Sequence, residues 1–490
     1  MPLFIFFCGF MLFSSAKWII RKFGPVTYEQ ILFHLNMPFD SETRLILSYL
    51  QNTVMTGAII ALLLWLLIFK KYKIRNKTIQ KIRDFIYNYR WILCLLWLFF
   101  CVGYFVVQMN VRTMLTYRHH KREVSNFYEQ NYVIPQQAEI NFPSQKRNLI
   151  LIFMESMEST FAKTPEHDYF NADLIEQLHT LAKDNINFSD NQYLGGSYQI
   201  DGTQWTQAGL MAQTCGIPIQ LPIREVNLIH PKYKFYPNAW CLYDILQQQG
   251  YQESFLIGSN GDFAGLRLFV ETHGQQKLSD TLYFAQKEKR KLSYKERSKS
   301  MLDKDLFVKA KKELRRLYTQ KQPFVFTMMT LDTHFGSQGF AEGICEYKYG
   351  NEQNLENVVA CASYQIGNFV KWLQNQPFYE NTTVVLLGDH LMMRATFDAN
   401  VQRHPLNIFI NSAIKPLNEK NRIFTPFDIY PTIIESMGAV IAGHRLALGT
   451  SLFAETPTLT ENLFSVEELN TEVRKSSKIY DWLLYGKQIE

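Results

Sequence analysis

Several patterns that mark common protein classes are missing from this chain of 490 residues. Its 7 cysteines form no CxxC pair and no Cys/His finger spacing, which argues against a structural zinc site of that kind. The glycine fingerprints of P-loop and dinucleotide-binding folds are also missing. There is no internal repeat or low-complexity tract, and 47% of the residues are hydrophobic, which excludes a disordered chain. The sequence therefore predicts a large folded protein with a sizeable core.

Positive charge is concentrated in one short segment. The net charge is +6, yet residues 70–90 hold eight basic residues and one acid, which leaves the other 469 residues at −1. A basic segment between two apolar stretches argues for membrane topology and against a nucleic-acid-binding surface. These basic residues are Lys70, Lys71, Lys73, Arg75, Lys77, Lys81, Arg83 and Arg90.

Three apolar stretches precede residue 112: Pro2 to Ile20, Ile46 to Phe69, and Trp91 to Val111. A hydrocarbon core of about 30 Å needs about 20 helical residues, so each stretch is long enough to span a membrane. Because basic loops stay in the cytoplasm, residues 70–90 are expected inside and everything after Val111 outside.

Two features of the first part leave alternatives open. The first stretch could instead be a cleaved signal peptide, although it lacks a basic leader. The segment Phe23 to Asp40 falls in the predicted outer loop, and its amphipathic pattern suggests a helix along the membrane interface.

Four cysteines lie in the part predicted to be exported, namely Cys215, Cys241, Cys345 and Cys361. Oxidation is permitted outside the cytoplasm, so one or two disulfides are expected. Four cysteines allow three complete pairings, and pairing between neighbours along the chain is the one we favour.

The remainder of the chain has the pattern of an α/β domain. Residues 1–112 are predicted as a transmembrane region, 113–147 as a polar juxtamembrane connector and 148–490 as the exported domain. Continuous apolar runs of strand length alternate with helix-like stretches, which is typical of a mainly parallel sheet flanked by helices. The predicted strands are 148–154, 253–257, 323–329 and 382–387, and the predicted helices are 174–183, 239–248, 304–318 and 357–374.

Carboxylates and imidazoles follow three of these strands. Glu155 follows the first, His334 closely follows the third, and Asp389 with His390 follows the fourth. Ligands bind at the carboxyl edge of such sheets, and these side chains suit a divalent cation. Each residue alone has an ordinary structural explanation, as a helix-end carboxylate, a capping Asp with a surface histidine, or a structural histidine. Their shared position at strand ends is what predicts a site.

Seven segments resemble, in the same order along the chain, those of membrane phosphoglycerol transferases of the alkaline phosphatase and sulfatase superfamily. Lipoteichoic acid synthases are more distant relatives. The resemblance extends over residues 145–455 and rests on the combination of motifs. The segments are Asn148 to Glu158, Gly202 to Gly209, Thr214 to Pro218, Leu331 to Phe335, Gly388 to His390, Phe424 to Thr432 and Arg445 to Phe453.

The resemblance implies a threonine nucleophile and a metal site. It makes Thr206 the nucleophile, with Thr203 in the same turn as the competing candidate. It places Glu155, Thr206, Asp389 and His390 around one divalent metal ion, with manganese (Mn²⁺) favoured over Mg²⁺ or Zn²⁺.

It further implies that His334 binds the phosphoryl oxygens or the leaving group, and Arg267 is a candidate for binding the substrate anion. Sulfatases proper carry a C/S-x-P-x-R pattern, whose Cys or Ser is oxidised to an aldehyde hydrate. Cys215-Gly-Ile-Pro218 lacks both its spacing and its arginine, so sulfate ester hydrolysis is not expected.

The implied activity is transfer of phosphoglycerol from phosphatidylglycerol to an extracytoplasmic glycan through a covalent threonine intermediate, with release of diacylglycerol. The implied location is the bacterial inner membrane, as a multi-pass protein with its catalytic domain in the periplasm or outside. One alternative is a phosphoethanolamine transferase acting on lipopolysaccharide or another surface glycan. Another is a catalytically silent membrane protein that binds lipid or glycan.

Overall fold

A computed structural model describes residues 2–24, 26–36, 43–66, 76–222, 234–274, 276–290, 300–334, 339–350, 353–393, 397 and 401–486. Lys70, Lys71, Lys73 and Arg75 of the basic segment lie outside the described residues. The chain forms two compact units. The first comprises Met1–Tyr28 and Pro38–Arg118, and the second comprises Glu29–Met37 and His119–Glu490.

The α-helices are distributed over both units. In chain order they are α1 (Pro2–Phe23), α2 (Tyr28–Leu35), α3 (Thr43–Tyr49), α4 (Thr56–Leu64), α5 (Lys77–Asn88), α6 (Arg90–Gln108), α7 (Val111–His120), α8 (Phe127–Asn131), α9 (Glu176–Asp184), α10 (Thr206–Cys215), α11 (Leu242–Gln248), α12 (Leu266–Thr272), α13 (Thr281–Lys287), α14 (Asp303–Thr319), α15 (Leu355–Gln374), α16 (Pro426–Ser436), α17 (Leu459–Asn462), α18 (Val466–Val473) and α19 (Lys478–Tyr485).

Among the described residues of the first unit, three helical segments are long and apolar enough to cross a membrane: Pro2–Lys22, Ile46–Leu64 and Arg90–Gln108. They correspond to the three predicted stretches. A π-helical turn, Leu50–Met55, joins α3 to α4 within the second segment. The helices α1 and α6 pack through stacked rings, as in the pair Phe6 and Trp97, whose centroids are 5.5 Å apart. Such aromatic packing suits helices that cannot rely on exclusion from water.

The second unit is built around a six-stranded sheet in the order β4-β3-β5-β2-β6-β7, and only β6 and β7 pair antiparallel. Four short strands form two small antiparallel pairs, β1 with β8 and β9 with β10. The strands are β1 (Ile140–Asn141), β2 (Asn148–Met154), β3 (Gln252–Ile257), β4 (Lys277–Ser279), β5 (Phe324–Met329), β6 (Thr382–Gly388), β7 (Asn407–Ile410), β8 (Val440–Ile441), β9 (Arg445–Leu446) and β10 (Gly449–Thr450).

The mainly parallel α/β fold predicted from the sequence is confirmed. Every residue of the central strands β2, β5 and β6 is buried, as expected for strands covered on both faces. On one face, alternate strand residues pack against α9, α14 and α15. The four predicted strands and helices agree with β2, β3, β5, β6 and with α9, α11, α14, α15 to within a few residues.

Two parts of the structure differ from the simplest interpretation of the sequence. The segment 113–147, predicted as a connector, contains most of α7, all of α8, and β1. From Glu29 onward, α2 belongs to the second unit, where Glu29 and Phe33 are buried, although its pattern suggested a helix along the membrane interface. The domain boundaries at residues 112 and 147 stay predictions.

Candidate functional site

The side chains singled out at strand ends meet because their strands are neighbours. Strand β2 lies between β5 and β6, and all three are parallel. Met154, the last residue of β2, pairs with Gly388, the last residue of β6. Glu155 and Asp389 therefore leave the sheet side by side at its carboxyl edge, the edge at which α/β folds bind ligands.

Glu155, Asp389 and His390 form a buried cluster. Each offers a ligand atom, and these atoms all lie within 4.8 Å of one another. His390 Nε2 is 3.5 Å from Glu155 Oε1 and 3.6 Å from Asp389 Oδ2. His390 Nδ1 donates a hydrogen bond to the carbonyl oxygen of Leu391 at 2.8 Å, which leaves the Nε2 lone pair facing the two carboxylates.

The electrostatics of this cluster fit a divalent cation. Asp389 Oδ1 accepts hydrogen bonds from the backbone N–H groups of Ser156 and His390, whereas buried Oδ2 has no hydrogen-bond partner among the described residues. Burial and the nearby Glu155 raise the pKa of Asp389 to about 7. Burial alone would lower the pKa of His390, but Asp389 and Glu155 raise it above its usual value. Two buried carboxylates and an imidazole lone pair supply the O and N donors that Mn²⁺, Mg²⁺ or Zn²⁺ accepts.

Thr206 is the first residue of α10 and points its hydroxyl at this cluster. Its Oγ1 lies 3.4 Å from Glu155 Oε2 and 3.4 Å from His390 Nε2. The extended residue Trp205 is the N-cap of this helix, so Thr206 lies in the first turn, where backbone N–H groups lack acceptors within the helix. A helix N-terminus favours anions, and a phosphate that reached Thr206 would be stabilised there.

Two residues of α10 fix its distance from the cluster. A Cβ atom added to Gly209 would lie 2.0 Å from the carbonyl oxygen of Asp389, so only glycine permits this approach. Gln213 Nε2 donates to the carbonyl oxygens of Gly388 and Asp389 at 3.0 and 3.2 Å. Helix α10, which carries Thr206, is therefore held against the backbone segment that carries two of the candidate metal ligands.

Thr203, the competing candidate in the same turn, has different surroundings. It is buried, and its hydroxyl donates to the carbonyl oxygen of Ile200 at 2.6 Å and accepts from the Ile200 N–H. Its side chain therefore closes the turn that precedes α10, while Thr206 faces the cluster.

Several residues that support the site were not singled out from the sequence. Ser156 has a φ of 53°, a left-handed conformation that is unusual for serine, and its hydroxyl donates to Glu155 Oε1 at 2.7 Å. Thr330 accepts a hydrogen bond from the Glu155 N–H, and Thr333 donates to the Glu155 carbonyl oxygen. The only sequence signal for Ser156 and Thr333 is their place inside motifs; Gln213 and Thr330 carry none.

His334 and Arg267 are less directly connected to the cluster. His334 closes a turn after β5 through its N–H bond to the Leu331 carbonyl oxygen, next to Thr333. Arg267 forms ion pairs with Asp262 and Asp280, which engage its guanidinium in holding the loop after β3. We give Arg267 no part in the reaction proposed below.

The four cysteines of the second unit form the two disulfides favoured from the sequence, Cys215–Cys241 and Cys345–Cys361. The first joins the end of α10 to the cap of α11. Cys241 also lies close to Asp244 and His273, and all three residue types can bind metal ions. Because its Sγ is bonded to Cys215, and His273 bridges Asp244 and the Phe235 carbonyl oxygen, this grouping is structural.

Comparison with known proteins agrees with this geometry. A family model described as Sulfatase matches residues 147–439, which is more than half of the chain. The chain belongs to the sulfatase family. Phosphoglycerol transferase I of Salmonella arizonae is 32% identical over 336 residues, covering 66% of this chain and 41% of that protein. Phosphoglycerol transferase I of Escherichia fergusonii is 31% identical over 286 residues, covering 56% and 35%.

This sulfatase-family chain thus spans about a third to two-fifths of the length of those relatives. Among solved structures, the integral membrane lipooligosaccharide phosphoethanolamine transferase A of Neisseria meningitidis superposes with a TM-score of 0.52 at 13% identity. The superposition covers 95% of this chain and 86% of that one. At this identity the likeness concerns the fold alone.

Proposed function

We propose that this protein transfers a phosphoglycerol group from phosphatidylglycerol to a glycan outside the cytoplasm, releasing diacylglycerol. The observation that carries the proposal is the position of the Thr206 hydroxyl, at a helix N-terminus and 3.4 Å from both Glu155 and His390. The names of relatives at 31–32% identity support the phosphoglycerol group.

In the first half-reaction, the Thr206 oxygen attacks the phosphorus of the lipid phosphodiester in line with the departing oxygen. The bond from Thr206 Oγ1 to phosphorus forms as the bond to diacylglycerol breaks. The threonine gives up its hydroxyl proton and diacylglycerol gains one. The first-turn N–H groups of α10 face the phosphoryl oxygens and stabilise their charge.

In the second half-reaction, a glycan hydroxyl attacks the same phosphorus. The bond to Thr206 breaks, the acceptor loses its proton and Thr206 regains one. His334 is our candidate to protonate the departing oxygen or to donate a hydrogen bond to the phosphoryl group. Both half-reactions thus take place at one hydroxyl.

Glu155, Asp389 and His390 would hold a divalent metal ion, with Thr206 as the fourth ligand and manganese favoured. When bound, such an ion lowers the pKa of a hydroxyl and offsets the negative charge of a phosphodiester. The chain's own residues supply the rest: Ser156 orients Glu155, the Leu391 carbonyl oxygen fixes the His390 tautomer, and Gly209 sets the approach of Thr206.

We place the catalytic unit on the outer side of the bacterial inner membrane. Three helices long and apolar enough to span a bilayer lie in the first unit, and the charge pattern of the sequence favours an external second unit. Tethering to the bilayer raises the effective concentration of a lipid head group at the site.

The donor is tested with the purified full chain in lipid nanodiscs that contain either phosphatidylglycerol or phosphatidylethanolamine, each labelled in its acyl chains. Release of labelled diacylglycerol from phosphatidylglycerol alone is the expected result. Release from phosphatidylethanolamine alone would reject the proposed donor in favour of phosphoethanolamine transfer. No release from either lipid would favour the catalytically silent membrane protein.

A further inference from the structure

The helix α2 lies in the chain between the apolar helices α1 and α3, yet from Glu29 onward it is part of the catalytic unit. It buries polar side chains almost as completely as apolar ones, with Glu29 at 2%, Gln30 at 5% and Phe33 at 0% exposure. A carboxylate is rarely buried so fully without a specific partner. The side chains that contact Glu29 and Phe33 therefore show which part of the catalytic unit α2 stabilises.

The partner of Glu29 is Arg474, which follows α18. Arg474 Nε and Nη2 lie 3.0 and 2.8 Å from Glu29 Oε1, and Nη2 also lies 2.9 Å from Asp201 Oδ2. One guanidinium thus bridges a carboxylate on α2 and a carboxylate in the turn that leads to Thr206. The side chains of Glu29 and Arg474 are 1% and 13% exposed, which limits screening by water.

Asp201, which Arg474 holds in place, is also hydrogen-bonded within the turn. Its Oδ1 accepts a hydrogen bond from Gln204 Nε2 at 2.7 Å, and Gln204 Oε1 accepts from the Gly202 N–H at 2.8 Å. The Asp201 N–H donates to Asn470 Oδ1 at 2.7 Å. These hydrogen bonds therefore fix the shape of the turn between Asp201 and Gln204, and Gln204 lies two residues before the proposed nucleophile.

A second contact from α2 reaches the other end of the turn. The ring centroids of Phe33 and Trp205 are 5.4 Å apart, and Trp205 is only 4% exposed. Trp205 is the residue that caps α10 and directly precedes Thr206. The helix α2 thus contacts Trp205 directly and Asp201 through Arg474.

We infer that α2 positions the catalytic turn, residues 201–205. Glu29 holds this turn through Arg474 and Asp201, and Phe33 holds it by packing against Trp205. The Thr206 hydroxyl thereby keeps its orientation toward the cluster. The inference rests on the proposed function where it concerns turnover, while the holding of the turn is a property of the fold. An attacking atom must keep its geometry closely, because a displacement of about 1 Å costs roughly 100-fold in rate. Glu29 and Phe33 are positioning residues and touch no substrate.

The first test compares Glu29→Gln with Glu313→Gln in the full chain. Each variant replaces a carboxylate that binds an arginine by an amide of the same size. Glu313, however, lies on α14, contacts Ser254 of β3 and Lys277 of β4, and has a side chain that is 13% exposed. We expect Glu29→Gln to lower kcat roughly 3- to 10-fold with KM for the lipid within about 2-fold, and Phe33→Leu to add to this loss. Glu313→Gln is expected to keep kcat within about 2-fold. Equal kcat values for the two Glu→Gln variants, at a temperature where both are folded, would overturn the inference.

The second test does not depend on turnover. Hydrogen exchange of the full chain, read by mass spectrometry, is expected to quicken in the peptide containing residues 200–207 for Glu29→Gln and to stay at the parent rate for Glu313→Gln. Unchanged exchange in that peptide would overturn the inference whatever the activity. If the parent protein releases diacylglycerol from no lipid, the proposed function fails, whereas the exchange measurement still decides whether α2 holds the turn.

Discussion

Two threonines three positions apart have opposite roles in the proposed chemistry. The Thr203 hydroxyl donates a hydrogen bond to the Ile200 carbonyl oxygen, whereas the Thr206 hydroxyl faces Glu155 and His390. The difference arises because Thr203 lies in a turn and Thr206 lies in the helix that follows, so their side chains point in different directions. The sequence alone left both candidates open because both lie in one motif.

Replacing Thr206 by alanine is expected to lower turnover by about 1,000-fold or more, since no other hydroxyl takes its place. Thr203→Ser, which keeps the hydroxyl that closes the turn, is expected to stay within a few-fold of the parent. Diacylglycerol release from labelled phosphatidylglycerol measures both. Comparable activity of Thr206→Ala and the parent would rule out the threonine mechanism.

Asp389→Asn is expected to remove the bound metal and to lower turnover about 100-fold or more, because it takes one anionic ligand from the cluster. Asp244→Asn is the matched control, since Asp244 lies in the structural grouping with Cys241 and His273. Metal analysis of the purified variants by mass spectrometry gives the comparison. A parent protein that holds no divalent metal and stays active in chelator would contradict the metal assignment.

At the scale of elements, the site depends on how closely α10 approaches the end of β6. Gly209→Ala would place a methyl group 2.0 Å from the Asp389 carbonyl oxygen, so the helix must shift away. We expect this variant to lose about 10- to 100-fold in turnover and to unfold at a lower temperature. Gly103→Ala on α6, where nothing lies within 4 Å of the added atom, is the control and should change neither measurement. Parent-like turnover of Gly209→Ala would show that this approach is not critical.

A second element-scale prediction concerns pH. Glu313 of α14 binds Lys277 of β4, Ser254 of β3 and Arg316. Burial alone would raise the pKa of Glu313, but hydrogen bonds from Arg316 and Lys277 lower it from 4.5 to about 2. A lowered carboxyl pKa stabilises the fold fully above the pKa of the unfolded chain, and this stabilisation is lost as the pH falls from about 4.5 toward 2.

Glu313→Gln is therefore expected to reduce the free energy of unfolding by about 1 to 2 kcal/mol at pH 7, less than the full pKa shift would give, because water screens this partly buried side chain. The difference from the parent should shrink between pH 4.5 and pH 3. Urea unfolding of parent and variant at pH 7, 4 and 3 measures this. A difference that is the same at all three pH values would mean that the charge of Glu313 does not contribute.

For the whole molecule, the central strands were predictable because each is a continuous apolar run buried on both faces, as in 148–154. The meeting of Glu155 and Asp389 at one edge of the sheet was predictable for the same reason, since β2 and β6 are parallel neighbours. The short edge strands β4 and β7 carry too few residues for a clear pattern. The contacts of Arg474 with Glu29 and of Gly209 with Asp389 join distant parts of the chain, and no local pattern predicts them.

The most direct measurement on the whole protein is to find the covalent intermediate. The full chain is mixed with phosphatidylglycerol in the absence of acceptor glycan, quenched in acid, digested and sequenced by mass spectrometry. A glycerophosphoryl group on Thr206, formed together with diacylglycerol, is the predicted result. Diacylglycerol release with the group on another residue, or with no modified residue at any time before acceptor is added, would contradict it.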